Sequence, residues 1–175
     1  VMNSHNQYWY MLVAIKYKHV YYQLYKDLNK KIDTLITFLL SILTFVGISA
    51  WIFSEEITYI WAAFLFLMQI LHIYKSMLPF AKRIQPLQFL IDDMQRLILD
   101  IQTDLYNLHD KEPADIDVLT NKYLSKFNVM EYNYLRDLDL PRKDFFRWKI
   151  NMEVNDYFYS RYGIKPIKNE YQDDR

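Results

Sequence analysis

The sequence contains no cysteine, and a whole set of chemistries goes with it: no disulfide framework, thiol nucleophile, iron–sulfur cluster or Cys-based zinc site can be built from this chain. Glycine is nearly absent too, with 2 in 175 residues beside 5 prolines. Sheet-rich folds spend these residues on tight turns, and phosphate loops and nucleophile elbows need glycine at fixed positions, so both are disfavoured together. Neither sign of charge dominates. Lys and Arg number 21 against 21 Asp and Glu, which argues against a globally basic nucleic-acid binder. The length suits one domain, or one domain with an appendage, and not a multidomain enzyme. What is abundant is apolar: 52% hydrophobic and 18% aromatic residues exclude intrinsic disorder and, with so few turn formers, predict an all-α fold.

A mean hydropathy of −0.17 averages over two uncharged runs. Thr34 to Ser54 is 21 consecutive residues without charge or proline, and Ile57 to Tyr74 adds 18 more after the acidic pair Glu55 and Glu56. About 20 helical residues cross the ~30 Å hydrocarbon core, so the two runs predict a transmembrane helical hairpin, with Trp51, Tyr59 and Trp61 at the membrane interface. Lys16, Lys18, Lys26, Lys30 and Lys31 precede the first run and Lys75, Lys82 and Arg83 follow the second, whereas the tip is acidic; both termini are therefore expected in the cytoplasm. The first 30 residues lack the compact apolar stretch and small-residue cleavage site of a signal peptide. The expected organisation is an N-terminal amphipathic cytoplasmic helix over 1–33, the hairpin over 34–78, and a cytoplasmic all-helical domain over 79–175.

Flanking the hairpin, apolar residues recur at helical spacing. Trp9, Val13, Tyr17, Val20, Leu24 and Leu28 mark a helix that either runs straight into the first span or kinks near Asp33, its lysines facing lipid phosphates. Pro79 and Pro86 are expected to disturb the exit of the second span. Leu87, Ile91, Met94, Ile98, Ile101, Leu105 and Leu108 then follow a strict heptad spacing, with Asp92, Asp93, Arg96, Asp100 and Asp104 on the solvated flank. Such a seam requires a partner, either a second subunit or the helices of the same chain. Two more helices are expected, from about Ala114 to Leu138 with Ile116, Leu119, Tyr123, Phe127, Met130, Tyr134 and Leu138 inward, and from about Arg142 to Tyr162, stopped by Gly163 and Pro166.

No catalytic constellation emerges. The four histidines are scattered, none in a metal-ligand pattern, and no metal or cofactor is expected. His109 with Asp110 reads as a helix-end pair, and twelve residues separate Arg96 from His109, too many for a nuclease-type Arg and His on one helix. The polar residues of the spans are more informative. Thr34, Thr37, Ser41 and Thr44 form one stripe, and Gln69, His72 and Ser76 another. Unsatisfied polar groups are costly in lipid, so these stripes face protein or water: either they pack the hairpin, bonding across it, or they line a pore assembled from several subunits. His72 offers such a pore a pH-sensitive group. Arg142, Lys143, Phe145, Phe146, Arg147, Trp148 and Lys149 interleave basic and aromatic residues, a pattern suited to unpaired bases or anionic headgroups, or to a helix whose aromatics enter the core; direct nucleic-acid binding is the less favoured of these.

The two uncharged runs joined at Ser54-Glu55-Glu56-Ile57, the N-terminal helix, the helical remainder, the lack of Cys and the Tyr-, Lys-, Asn- and Ile-rich composition together resemble the small two-span effectors of prokaryotic defence loci, most of all the accessory membrane protein of type VI-B RNA-guided CRISPR systems. That resemblance implies a homo-oligomeric pore in the bacterial inner membrane that strengthens antiviral immunity when a partner RNA-guided nuclease senses phage RNA. It extends over the architecture of nearly the whole chain. The nuclease-like Arg and His motif discussed for the family is not matched, so no catalytic residue carries over, and the expected protein is not an enzyme. The alternative is an adaptor that the hairpin tethers to the membrane and whose helical domain binds another protein.

Overall fold

The computed structural model describes residues 4–53, 58–75, 79–108, 111–138, 140 and 146–167, with side chains for all of these except 46–53, 58–61, 71, 74–75 and 79–81. Among the described residues there are five α-helices and no strand, so the fold is all-α: α1 (Ser4–Phe53), α2 (Thr58–Lys75), α3 (Pro79–Tyr106), α4 (Pro113–Leu135) and α5 (Arg147–Tyr162). α1 passes Asp33 without a break and runs for 50 residues, as expected of a stretch with neither proline nor a glycine before position 47. Pro86 departs from expectation. It lies inside α3, where its missing N–H leaves the carbonyl of Lys82 without its helical donor, yet the helix continues through it.

The chain divides into two compact units, one formed by Val1–Tyr25 with Pro86–Arg175 and the other by Lys26–Gln85. The first is a four-helix bundle made from the start of α1, α3 beyond Pro86, α4 and α5. Its core interleaves Tyr8, Leu12 and Ile15 with Leu90, Met94, Leu97, Ile98 and Ile101, with Ile116, Tyr123 and Phe127, and with Ile150, Val154 and Phe158. Each such side chain removed from water contributes about 1.5–3 kcal/mol, before the entropy of ordering it. On α1 the deepest residues are Tyr8, Leu12, Ile15 and Tyr21; of the expected line Val20 and Leu24 are buried, and Trp9, Val13 and Tyr17 are partly buried at the core's edge. Aromatic edges join the helices: Trp9 of α1 meets Phe158 and Tyr162 of α5 at 5.1 and 5.3 Å between centroids.

The local signals for the helix ends hold. Pro113 opens α4 at a position whose N–H would be unpaired in any case, and Asp115 lies in its first turn, near the positive end of the helix dipole. α5 ends at Gly163, which adopts φ 69° and donates its N–H to the Tyr159 carbonyl at 2.9 Å, a left-handed cap that a Cβ would strain.

The second unit holds the end of α1, all of α2 and the start of α3. Few of its described side chains are buried: Asn29, Leu40 and Met68 are, whereas Leu35, Phe38, Leu39, Phe45, Phe66 and Ile73 are at least half exposed. No helix is long and apolar enough to cross a membrane among the described residues. The side chains of 46–53 and 58–61, which belong to the two uncharged runs, lie outside that description.

Candidate functional site

Leu40, Ser41, Thr44 and Phe45 of α1 and Leu65, Met68, Gln69 and His72 of α2 line an open cavity of about 610 Å³ in the second unit. The helical repeat explains the gathering. Ser41 and Thr44 are three apart on one helix, Gln69 and His72 three apart on the other, and the buried Leu40 and Met68 stand beside them. Four polar residues drawn from both uncharged runs thus share one concave surface. Thr34 and Thr37 continue the α1 stripe outside that lining, and Ser76 lies outside the described residues.

The hydroxyls of the α1 stripe find partners differently from the cross-hairpin bonding that was one expectation. Thr34 donates to the Lys30 carbonyl at 2.9 Å, Thr37 to Asp33 at 2.7 Å, Ser41 to Thr37 at 2.8 Å and Thr44 to Leu40 at 2.8 Å. Each is satisfied four residues back along its own helix, which lowers the cost of removing it from water. Gln69 and His72 add an amide and an imidazole to the lining from the α2 side.

Of the two partners open to the heptad seam, the helices of the same chain pack against it. Leu87, Ile91, Met94, Ile98, Ile101 and Leu108 are buried and Leu105 partly buried within one chain, packed in the bundle core with α1, α4 and α5. The three-and-four spacing identifies the buried face, but the same chain occupies it. Its flank is less solvated than expected: Asp93 and Asp104 accept hydrogen bonds from Tyr134 and Tyr123, both at 2.7 Å, while Lys126 lies 3.6 Å from Asp100. These carboxylates raise the phenol pKa of their partners, with burial the larger cause for Tyr123 and the hydrogen bond the larger for Tyr134.

Of the basic and aromatic patch, Arg142 and Lys143 lie outside the described residues, as does His109. Phe146 packs against the core with its ring 6.4 Å from that of Tyr21, Trp148 stands 67% exposed, and Lys149 is 3.9 Å from Glu153. The aromatics therefore divide: one enters the core and one faces outward. No group of three or more His, Asp or Glu side chains is placed to hold a metal among the described residues.

Two polar clusters escape a reading by periodicity. Lys16 and Lys18, expected to face lipid phosphates, instead turn into the bundle. Lys18 contacts both carboxylate oxygens of Glu131 at 2.8 Å, and the Tyr22 hydroxyl donates to the same carboxylate, tying α1 to α4. Burial and this carboxylate both push the Tyr22 phenol up. Lys16 is 8% exposed, its ammonium 4.0 Å from the centroid of the Tyr157 ring. Burial, and then the Arg161 guanidinium, lower its pKa from 10.5 to about 8. Gln102 of α3 bonds Tyr157 at 2.8 Å, Tyr162 at 3.1 Å and Arg161 at 3.0 Å, closing the cluster between α3 and α5. A lysine among many lysines carries no periodic signal of burial; only the arrangement of α5 against α1 reveals it. Comparison with protein-family models, with curated proteins and with solved structures finds no match to this chain.

Proposed function

We propose that the chain is a membrane protein that assembles into a homo-oligomeric channel, with the α1–α2 unit forming the wall and the bundle carrying the response to a trigger. The observation that carries this reading is the shared concave surface of Ser41, Thr44, Gln69 and His72, drawn from two uncharged runs that expose Leu35, Phe38 and Phe66 outside that surface. Large exposed apolar side chains at helical spacing suit lipid, whereas an amide and an imidazole do not, so the two kinds of surface call for two kinds of neighbour. The 21 uncharged residues from Thr34, helical through Phe53, reach about 30 Å at 1.5 Å per residue. A single hairpin encloses no lumen, so several copies bring their concave surfaces together around water. Since the heptad seam is filled within one chain, the subunit contacts fall on the α1–α2 unit. The resemblance noted above supports an inner-membrane location with both termini cytoplasmic, and an accessory role beside an RNA-guided nuclease in antiviral defence.

The test is ion flux from liposomes containing the full chain, together with the mass and symmetry of the detergent-solubilised particle. A ring of several subunits that dissipates ion gradients is expected, and replacing Thr37, Ser41 and Thr44 with Leu is expected to reduce flux at least tenfold with the particle intact. A strictly monomeric particle that leaves gradients intact under every trigger overturns the channel. One observation favours a second reading, a membrane-anchored adaptor: the stripe hydroxyls are already satisfied within α1 and have no need of water. An adaptor loses little on the same triple substitution.

A further inference from the structure

α3 carries a second stripe beside its buried seam. Phe89, Asp92, Arg96, Leu99, Thr103 and Tyr106 are spaced three, four, three, four and three, and all of them are exposed. The helical repeat sets them on one face, turned away from Ile91, Met94, Ile98 and Ile101 in the bundle core. Phe89 and Leu99 expose 50% and 48% of their surface, and the two stripe residues between them are one acid and one base. The stripe is its own complement. In an antiparallel pair of such helices, each layer joins one position to its counterpart from the other end. Centred on residue 94, the pair sets Phe89 of one copy against Leu99 of the other and Asp92 against Arg96, and two-fold symmetry makes each contact twice. Sliding one copy by a heptad sets Arg96 against Leu99 and Asp92 against Thr103. A parallel pair sets Asp92 against Asp92 and Arg96 against Arg96. Of these arrangements the centred antiparallel one alone matches apolar with apolar and acid with base. The Gln88 amide donates to one Asp92 oxygen at 2.8 Å, which orients the carboxylate and leaves its second oxygen for a guanidinium.

We infer that the outer face of α3 docks on the same face of a second copy of this chain, antiparallel, through paired Phe89–Leu99 and Asp92–Arg96 contacts. The self-complementary order of charges names the occupant. A contact of this size is weak between dilute chains and gains strength where copies are concentrated in one membrane. Being two-fold, it joins copies in pairs and does not close a ring. It is therefore additional to the subunit contacts assigned to the α1–α2 unit, and it stands whether or not that unit conducts.

The lack of cysteine makes engineered thiols the only ones in the chain, so disulfide crosslinking reads this contact directly. Full-length F89C and L99C chains are mixed in maltoside micelles and oxidised mildly, and the linked dimer is scored on a non-reducing gel. The mixture is expected to crosslink about fivefold faster than either chain alone, because ten residues of helix hold like positions about 15 Å apart, beyond the ~7 Å Cα separation a disulfide spans. Adding R96D to both chains sets Asp against Asp and is expected to slow crosslinking about fivefold, whereas D92R with R96D exchanges the signs and is expected to restore it to within about twofold. All four positions are exposed, so the variants leave the bundle core unaltered. Equal crosslinking in the mixture and in the separate chains overturns the contact, as does a D92R/R96D pair that remains as slow as R96D. A particle that forms no ring leaves every one of these expectations in place, so the channel and the α3 contact fail separately.

Discussion

The two units of the chain use similar side chains in opposite ways. In the bundle Tyr8, Ile98 and Phe158 are fully buried, and even the polar Gln102 and Lys16 are drawn inside. In the α1–α2 unit Phe66 stands 69% exposed outside the cavity, and Phe45, 72% exposed, lines it together with exposed polar residues. The bundle's helices share one buried apolar core, although Tyr10, Tyr106, Val118 and Trp148 stay exposed on its surface. The α1–α2 unit buries few of its described side chains and holds a recess lined by four polar and four apolar residues. An amphipathic pattern therefore states which residues share a face, and the environment that face meets is a separate question.

The largest effect that tests this contrast is a pair of truncations. Ile98→Ala is expected to cost the bundle about 2–5 kcal/mol, the loss of buried methyl groups plus the cavity left behind, whereas Phe66→Ala is expected to cost about 0.5 kcal/mol or less. Urea unfolding of the full chain in maltoside micelles, followed by circular dichroism, measures both; equal losses would erase the distinction between the units.

Acid–base behaviour sharpens it further. Lys16 has a pKa lowered to about 8 in the folded chain against an ordinary 10.5, so between these values the unfolded chain binds more protons and stability rises with pH. The cost of holding a buried ammonium is present below pH 8 and is relieved as the pH climbs. Tyr8, Tyr22 and Tyr123 act with the opposite sign: burial raises their phenols above the ordinary 10.0, and stability falls once unfolded tyrosines ionise. Unfolding midpoints should therefore rise between pH 7.5 and 9.5, by about 1–2 kcal/mol, and turn down beyond pH 10. K16M should remove the rise and keep the fall. The smallest effect concerns an end of the bundle: Gly163→Ala forces a Cβ into the left-handed region at φ 69°, with nothing within 4 Å to clash, so the backbone strain alone should cost about 1 kcal/mol.

How much of this was legible follows the same division. The all-α class, the breaks near Pro113 and Gly163 and the buried face of α3 are local, written in turn chemistry and in the spacing from Leu87 to Leu108, and the structure shows them directly. The occupant opposite that face was not legible, because a heptad repeat is the same whether it meets a sister subunit or α1 of its own chain. Ser41, Thr44, Gln69 and His72 were recognisable as two stripes; that four of them share one cavity depends on the mutual rotation of α1 and α2, which no single-helix pattern encodes. Lys16, Gln102 and Arg161 were missed because charged and amide residues ordinarily mark solvent, and their roles appear only when three helices meet. Pro86 misled in the other direction, since a proline that breaks an isolated helix is tolerated in one whose remaining turns are held by a core.

The bundle is built from the two ends of the chain, and this fixes an order of events. Tyr8 bonds the carbonyl of Ile101, 93 residues away, and Lys18 reaches Glu131 across 113. Both uncharged runs lie between these partners, so during synthesis they leave the ribosome before α1 can meet the helices that bury it. Until α3, α4 and α5 emerge, Tyr8, Leu12 and Ile15 face solvent or a chaperone, and closing so long a loop makes the bundle the late and slow step. Its native packing is thus a record that the hairpin has already been made, and a ribosome stalled before Pro86 would hold a chain with its hairpin sequence complete and no bundle at all.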